Sequence, residues 1–145
     1  MIANERQYRT AKAERKRFEE ALAAHDAAER DAEVDPRIHQ AMRDATVSEI
    51  SELCSQLDRY DDLRAGRIGH RVMDSLREFP IALIEARISA HLTQRDLADA
   101  LGIPEQQVQR WEANTYHGVG LDRLQEIADV LQLEIHETVT YATRG

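Results

Sequence analysis

The sequence predicts an all-α protein in which a long helical hairpin precedes a bundle of short helices, with one short β-strand near the carboxyl end. The first 64 residues contain one proline and no glycine, which favours long helices. From Pro80 onward, short apolar periods are separated by tight turns, and the last residues alternate between apolar and polar side chains. We therefore expect a hairpin over 1–66, a hinge over 67–79, a helical bundle over 80–133 and a strand or tail over 134–145.

The hairpin is predicted from apolar spacing and one break. Residues 3–33 are rich in Ala, Glu, Arg and Lys, and Asp35-Pro36 can cap and begin a second helix that runs to about Arg64. A thin stripe follows the first helix, at Ala11, Phe18, Leu22 and His25. The second helix has apolar residues at spacings of three and four, at Val47, Ile50, Leu53, Cys54, Leu57 and Tyr60, with Asp61 continuing the period. These stripes predict a coiled-coil-like seam, either within the hairpin or with a partner chain.

The distribution of charge limits where an anionic partner could bind. The net charge is −8, and both halves are acidic: residues 79–145 have five basic and ten acidic side chains, and residues 1–78 have 14 and 17. A surface for an anionic partner must then be a local patch. Six basic residues make the first turns locally positive, which is typical of a solvated helix face and less often of a phosphate contact: Arg6, Arg9, Lys12, Arg15, Lys16 and Arg17.

Enzymes, metalloproteins and membrane proteins are not expected. The six histidines show no metal-ligand spacing, Cys54 is the only cysteine, and no Gly-rich phosphate loop or nucleophile motif occurs. No apolar run reaches the ~18 residues of a spanning helix, and Met1 to Lys12 lack the apolar centre of a secretory signal. We expect a cytoplasmic protein without a cofactor or a metal.

The bundle shows three short helices in close succession. The first begins at Pro80 and ends near His91, with a stripe of isoleucines. Thr93 is a good N-cap for the second helix, and Gly102 suits the positive φ that ends it. The apolar residues of these two helices are Ile81, Ile84, Ile88, Leu97, Ala98 and Leu101.

The third short helix begins at Pro104 and directs Val108 and Trp111 toward the core. A small residue at Ala98 and a three-residue turn at Gly102 give the angle of a helix-turn-helix. The opposite face of the third helix has only hydrogen-bonding side chains: Glu105, Gln106, Gln109 and Arg110.

Residues 80–133 resemble the lambda-repressor-like, Xre-type family of helix-turn-helix DNA-binding domains. The resemblance rests on Leu92-Thr93-Gln94, Leu97-Ala98, Ala100-Leu101-Gly102-Ile103, Val108, Trp111-Glu112, and Leu121, Leu124, Ile127-Ala128 and Leu131. His91 and Asn114 stand at or near positions where the family has glycine, and both residue types tolerate positive φ. Pro104 replaces the family's usual serine or threonine.

The resemblance implies that residues 105–113 enter the DNA major groove. Base contacts then fall on Glu105, Gln106, Gln109 and Arg110, and Gln94 would hold a phosphate. Arg95 and the loop Thr115, Tyr116 and His117 would contact the sugar-phosphate backbone. The expected function is a transcriptional regulator of operator DNA, an autorepressor or the antitoxin of a toxin-antitoxin pair. The alternative is a protein-interaction scaffold that neutralises a toxin through its amino-terminal helices and does not bind DNA.

The carboxyl end predicts a strand and, with it, a homodimer. Leu133, Ile135, Val139 and Tyr141 alternate with polar residues, with Glu137 as the one exception on the apolar face, and the chain has no other convincing strand. A symmetry mate is then the natural pairing partner, while the competing interpretation is a tail packed loosely on the bundle.

Overall fold

The chain folds into helices joined by short loops. The computed structural model describes residues 1–28 and 33–143. Within these ranges there are six α-helices, and a short 3₁₀ turn (Leu76–Glu78) precedes the third. The helices are α1 (Glu5–Ala27), α2 (Pro36–Arg64), α3 (Phe79–Ser89), α4 (Gln94–Leu101), α5 (Glu105–Ala113) and α6 (Leu121–Val130). The all-α prediction is confirmed. Among the described helices, none has both the length and the apolarity that a bilayer crossing requires.

The first two helices form an antiparallel hairpin. Near the start of α1 the Tyr8 ring lies 5.1 Å from that of Tyr60 near the end of α2, and at the other end the His25 ring lies 5.2 Å from that of His39. The side chain of Asp35 accepts a hydrogen bond from the Arg37 backbone N–H, and Pro36 begins α2 as predicted. The predicted end of the first helix, near residue 33, depends on residues 29–32, which lie outside the described ranges.

The seam of the hairpin follows the predicted stripe except at its first residue. Leu57 and Tyr60 are buried and Leu53 is half-buried, whereas Val47 is 40% exposed. Val47 therefore lies outside the contact with α1, and packing of this stripe against a partner chain stays a prediction. Residues spaced by three and four on a long helix lie on two adjoining rows, and only packing against α1 decides which row is covered.

Local sequence sets the ends of the short helices. Thr93 and Asp96 form a capping box at the start of α4, and the Thr93 hydroxyl and backbone N–H hold the pKa of Asp96 below its ordinary value. Gly102 ends α4 with φ 67° and His91 has φ 58°, as expected. Asn114 has φ −96°, so it does not use the positive φ that its residue type tolerates. The left-handed turn falls instead on Thr115 and Tyr116, at φ 51° and 53°.

One core connects the short helices and the hairpin. Its centre is formed by one fully buried side chain from each short helix, Leu83, Leu97, Val108 and Ile127. Leu57 and Leu63 of α2 belong to the same apolar cluster. At the edge of this contact, Arg59 donates two hydrogen bonds to the Glu85 carboxylate, at 2.9 and 2.8 Å.

The predicted hinge is tied to α3 by charges. Arg71 lies in the loop between α2 and the 3₁₀ turn, and its guanidinium is 3.2 Å from the carboxylates of Glu78 and Glu85. Glu85 is only 6% exposed. Hydrogen bonds from Arg59 and Arg71 offset the negative charge of its carboxylate. The loop therefore has a defined position against the bundle.

The predicted carboxyl-terminal strand is not formed. No strand occurs in residues 1–28 or 33–143, and after α6 the chain continues without regular secondary structure. Leu133 and Ile135 pack against the core, while Val139 and Tyr141 are 70% and 82% exposed. An isolated strand has no partner for its backbone hydrogen bonds, and alternation of side chains cannot supply one.

Leu97→Ala tests the position of the core. Leu97 is fully buried at the centre of the bundle, so its truncation removes apolar burial and leaves a cavity. We expect a loss of about 2–5 kcal/mol in the free energy of unfolding, measured by urea denaturation. Leu121→Ala is the matched control, because Leu121 is 72% exposed. Equal losses in the two variants would contradict this core.

Candidate nucleic-acid interface

Helices α4 and α5 form a helix-turn-helix. Ala98 is completely buried, and its small side chain lets the two helices approach closely. Gly102 turns the chain in the left-handed conformation, and Ile103 N–H donates to the Ala98 carbonyl at 3.0 Å. Pro104 is the N-cap of α5, and its side chain makes no capping hydrogen bond. Val108 is completely buried and anchors the helix in the core. The remaining face of α5 points away from the bundle.

The outward face of α5 presents two free hydrogen-bonding side chains. Gln106 and Arg110 are exposed and lie one turn apart on the same row of the helix. Neither side chain makes a hydrogen bond or an ion pair with any other described residue. An unpaired amide and an unpaired guanidinium side by side can bind the edge of a base pair.

Two further α5 residues are partly engaged with each other. Gln109 Nε2 donates to Glu105 Oε1 at 3.2 Å. Arg95, at the start of α4, lies 3.9 Å from the other oxygen of Glu105. The Arg95 side chain is 75% exposed, so this ion pair contributes little and Arg95 can leave it for another anion. Arg95 meanwhile offsets the negative charge of Glu105 beside the exposed face.

Gln94, the expected phosphate ligand, is engaged inside the protein. It is 6% exposed, and its Nε2 donates to Glu112 Oε2 at 2.7 Å. Its Oε1 accepts a hydrogen bond from Asn4 Nδ2 at 3.2 Å. Its second Nε2–H has no partner among the described residues, but a phosphate could reach it only if this buried side chain became more exposed.

Sequence reasoning missed the charged pair beneath this site. Arg87 of α3 and Glu112 of α5 are buried, with side chains 3% and 0% exposed, and form two hydrogen bonds at 2.6 and 2.7 Å. Arg87 also donates to the backbone carbonyls of Leu92 and Ala3. The signal was present in the register: Arg87 follows Ile84 by three residues and Glu112 follows Val108 by four, so each lies on the buried side of its helix.

The three loop residues that were predicted to contact the DNA backbone differ in their exposure. Thr115 and His117 are exposed. Tyr116 is 3% exposed, and its ring lies 6.1 Å from that of Trp111. Burial, and to a lesser degree the nearby charge of Glu112, raise the pKa of Tyr116 well above its ordinary value. The Tyr116 ring therefore belongs to the core, because the left-handed turn directs it inward, and the expected contact of this loop with a DNA backbone stays a prediction.

Comparison with known proteins agrees with this geometry. Residues 83–137 match a protein-family model described as helix-turn-helix. This match agrees with the resemblance to lambda-repressor-like, Xre-type helix-turn-helix domains that the sequence motifs indicate. Such a domain is typical of DNA-binding regulators, whereas residues 1–82 lie outside the matched part. No significant match was found among curated proteins or among solved structures.

Tyr116→Phe separates a core role from a DNA contact. The Tyr116 hydroxyl is buried and has no hydrogen-bond partner among the described residues. Its removal should leave the free energy of unfolding unchanged or raise it by up to about 1–3 kcal/mol, because a buried unpaired polar group is lost. DNA affinity of the helix-turn-helix domain should not change, as measured by fluorescence anisotropy. Weaker DNA binding at equal stability would show that the hydroxyl reaches the backbone.

Glu112→Gln tests the buried pair. The substitution keeps the shape of the side chain but leaves the Arg87 guanidinium buried without its counter-charge. We expect a loss of about 3–5 kcal/mol in the free energy of unfolding. The control is Glu126→Gln, which breaks the exposed pair with Arg123 and should cost less than about 1 kcal/mol. A loss in Glu112→Gln no larger than that of the control would contradict the burial of this pair.

Proposed function

We propose that this protein is a sequence-specific transcriptional repressor that inserts α5 into the major groove of operator DNA. The observation that carries the proposal is the exposed, unpartnered pair Gln106 and Arg110 on the outward helix of a helix-turn-helix domain. An α-helix about 10–12 Å wide with its side chains fits a B-DNA major groove of about 12 Å. The register of α5 and the chemistry of its exposed face support the same conclusion.

Each exposed side chain has a base that it suits. Arg110 can donate two hydrogen bonds to guanine O6 and N7, and Gln106 can bind adenine N6 and N7. Glu105 can accept from a cytosine amino group, with Arg95 beside it to limit repulsion by phosphates. Gln109 is exposed and can exchange its bond with Glu105 for a base. Arg95, Thr115 and His117 are exposed around α5 and can contact the sugar-phosphate backbone.

The proposed repressor acts as a homodimer on a pseudo-palindromic operator, because one short helix contacts too few base pairs for specificity. We expect half-sites one helical turn apart, or roughly 34–36 Å. Leu121, Val139 and Tyr141 are 72%, 70% and 82% exposed, and a second copy of the chain would bury such apolar side chains. We further propose that the operator lies upstream of the protein's own gene, as in an autorepressor.

Base contacts are tested by Arg110→Ala and Gln106→Ala on the upstream DNA. Footprinting first identifies the protected site, and affinity is then measured at fixed salt against single-base variants of it. Each substitution should weaken binding by about 1–3 kcal/mol and relax the preference at one base position, since a bidentate contact is lost. The control is Arg37→Ala, which removes the same charge from the far end of the hairpin and should leave affinity unchanged.

Two results would refute the proposal. One is binding of the parent protein to no fragment of the upstream DNA. The other is unchanged affinity and unchanged base preference in both α5 variants, which would mean that Gln106 and Arg110 do not face the bases.

A second candidate function is suggested by the hairpin. Ile38 and Met42 of α2 are 55% and 58% exposed and lie one turn apart, and an apolar pair of this kind suits a protein partner. An antitoxin would bind a toxin there and DNA through α5, and a pure scaffold would bind only the protein. Ile38→Ser with Met42→Ser separates the two sites: operator affinity should be unchanged, while a complex with the product of a neighbouring gene would be lost.

A further inference from the structure

Helix α1 presents a basic face that the fold of the bundle does not use. Arg6 and Arg17 are eleven residues apart, which is about three helical turns, so they lie on one row about 16 Å apart. Lys16 precedes Arg17 and points about 100° away from this row, and all three residues are exposed. None of the three side chains forms an ion pair within the described ranges.

The start of α1 lies next to the start of α4. Asn4 is the N-cap of α1, and its Nδ2 lies 3.2 Å from Oε1 of Gln94, the first residue of α4. The carbonyl of Ala3 accepts a hydrogen bond from the buried guanidinium of Arg87. These contacts fix the amino-terminal turn of α1 beside the helix-turn-helix.

A groove separates α1 from the base-contacting helix. It has a volume of about 1280 Å³, and its walls include Arg6 and Thr10 of α1 and Glu105 and Gln109 of α5. Arg6 therefore lines the same groove as the half-buried Glu105 and the exposed Gln109. Arg17 lies about three turns further along α1. For a DNA duplex that lies across α5, α1 is the helix on the other side of this groove.

The charges on α1 determine which kind of ligand this side of the groove favours. Residues 5–20 contain six basic and four acidic side chains, a net charge of +2 in a chain whose net charge is −8. Two of the acids are already engaged: Glu5 pairs with Arg9 and Arg64, and Glu19 pairs with Arg15. Two opposing charges remain, Glu14 in the groove wall and the exposed Glu20 three residues after Arg17. The row of Arg6 and Arg17 is thus a cationic site on an acidic protein.

We propose that the basic row of α1 is a second DNA-contact site, which binds backbone phosphates flanking the bases that α5 contacts. The inference rests on the proposed function, because the same duplex must occupy α5. Two arginines about 16 Å apart suit phosphates several nucleotides apart, and they carry no base preference. The hairpin then adds affinity and orientation, while α5 supplies the sequence preference.

The test compares Arg6→Ala/Arg17→Ala with the parent on the footprinted operator. Operator affinity is measured over a salt series, because each phosphate contact contributes about 0.9 to the slope of log affinity against log salt. We expect the slope to fall by about 1.8 and the affinity to fall about tenfold at low salt. The ratio of operator to scrambled-DNA affinity should not change, since phosphate contacts are independent of sequence.

The matched control is Arg37→Ala/Arg77→Ala, which removes two exposed arginines that form no ion pair with other described residues and lie outside α1. It should keep the parent's salt slope. Thermal unfolding and helical content of both double variants should equal those of the parent, because all four side chains are exposed.

The outcomes separate this inference from the proposed function. A parent that binds no DNA overturns both. A parent that binds its operator with a slope that Arg6→Ala/Arg17→Ala does not reduce overturns the α1 site alone. An equal loss of slope in the control also overturns it, because the effect would then come from net charge. Loss of base preference in the α1 variant would place Arg6 and Arg17 among the base contacts instead.

Discussion

The buried ion pair between Arg87 and Glu112 holds the helix-turn-helix in its orientation. Both side chains are almost fully removed from water, so each charge depends on the other and on exact hydrogen-bond geometry. The pair joins α3 to the end of α5, and Gln94 connects it to the start of α4. A shift of α5 along the bundle would leave a charge without its partner. The exposed position of Gln106 and Arg110 is therefore a consequence of contacts on the opposite side of their helix.

The same network ties the amino terminus to the helix-turn-helix. Arg87 binds the Ala3 carbonyl, and Gln94 accepts a hydrogen bond from Asn4. Ile2 and Ala3 are 6% and 7% exposed, so the residues before α1 belong to the common core. Gln94 is also buried and donates through its Nε2 to Glu112, which holds its donor group inside the protein.

The basic side chains of the surface differ in whether they are paired with a carboxylate. The chain as a whole is acidic, which opposes non-specific association with nucleic acid. Its unpaired cations nevertheless include Arg110 on α5 and Arg6 and Arg17 on α1, whereas Arg59 and Arg71 are neutralised by Glu85 at the junction of hairpin and bundle. The distribution of ion pairs, more than the net charge, decides where a polyanion could dock.

The sequence by itself determined the helices and most of their ends, because these depend on local chemistry: Asp35-Pro36 begins α2, Thr93 begins α4 and Gly102 ends it. It also determined which face of α5 is polar, since helical period follows from spacing alone. Tertiary structure decided the rest. Val47 is exposed and Tyr116 is buried because packing selects one of several local alternatives. The alternating tail formed no strand because a strand needs hydrogen-bond partners from elsewhere. Gln94 turned inward because contacts with Glu112 and Asn4, distant in sequence, were within its reach.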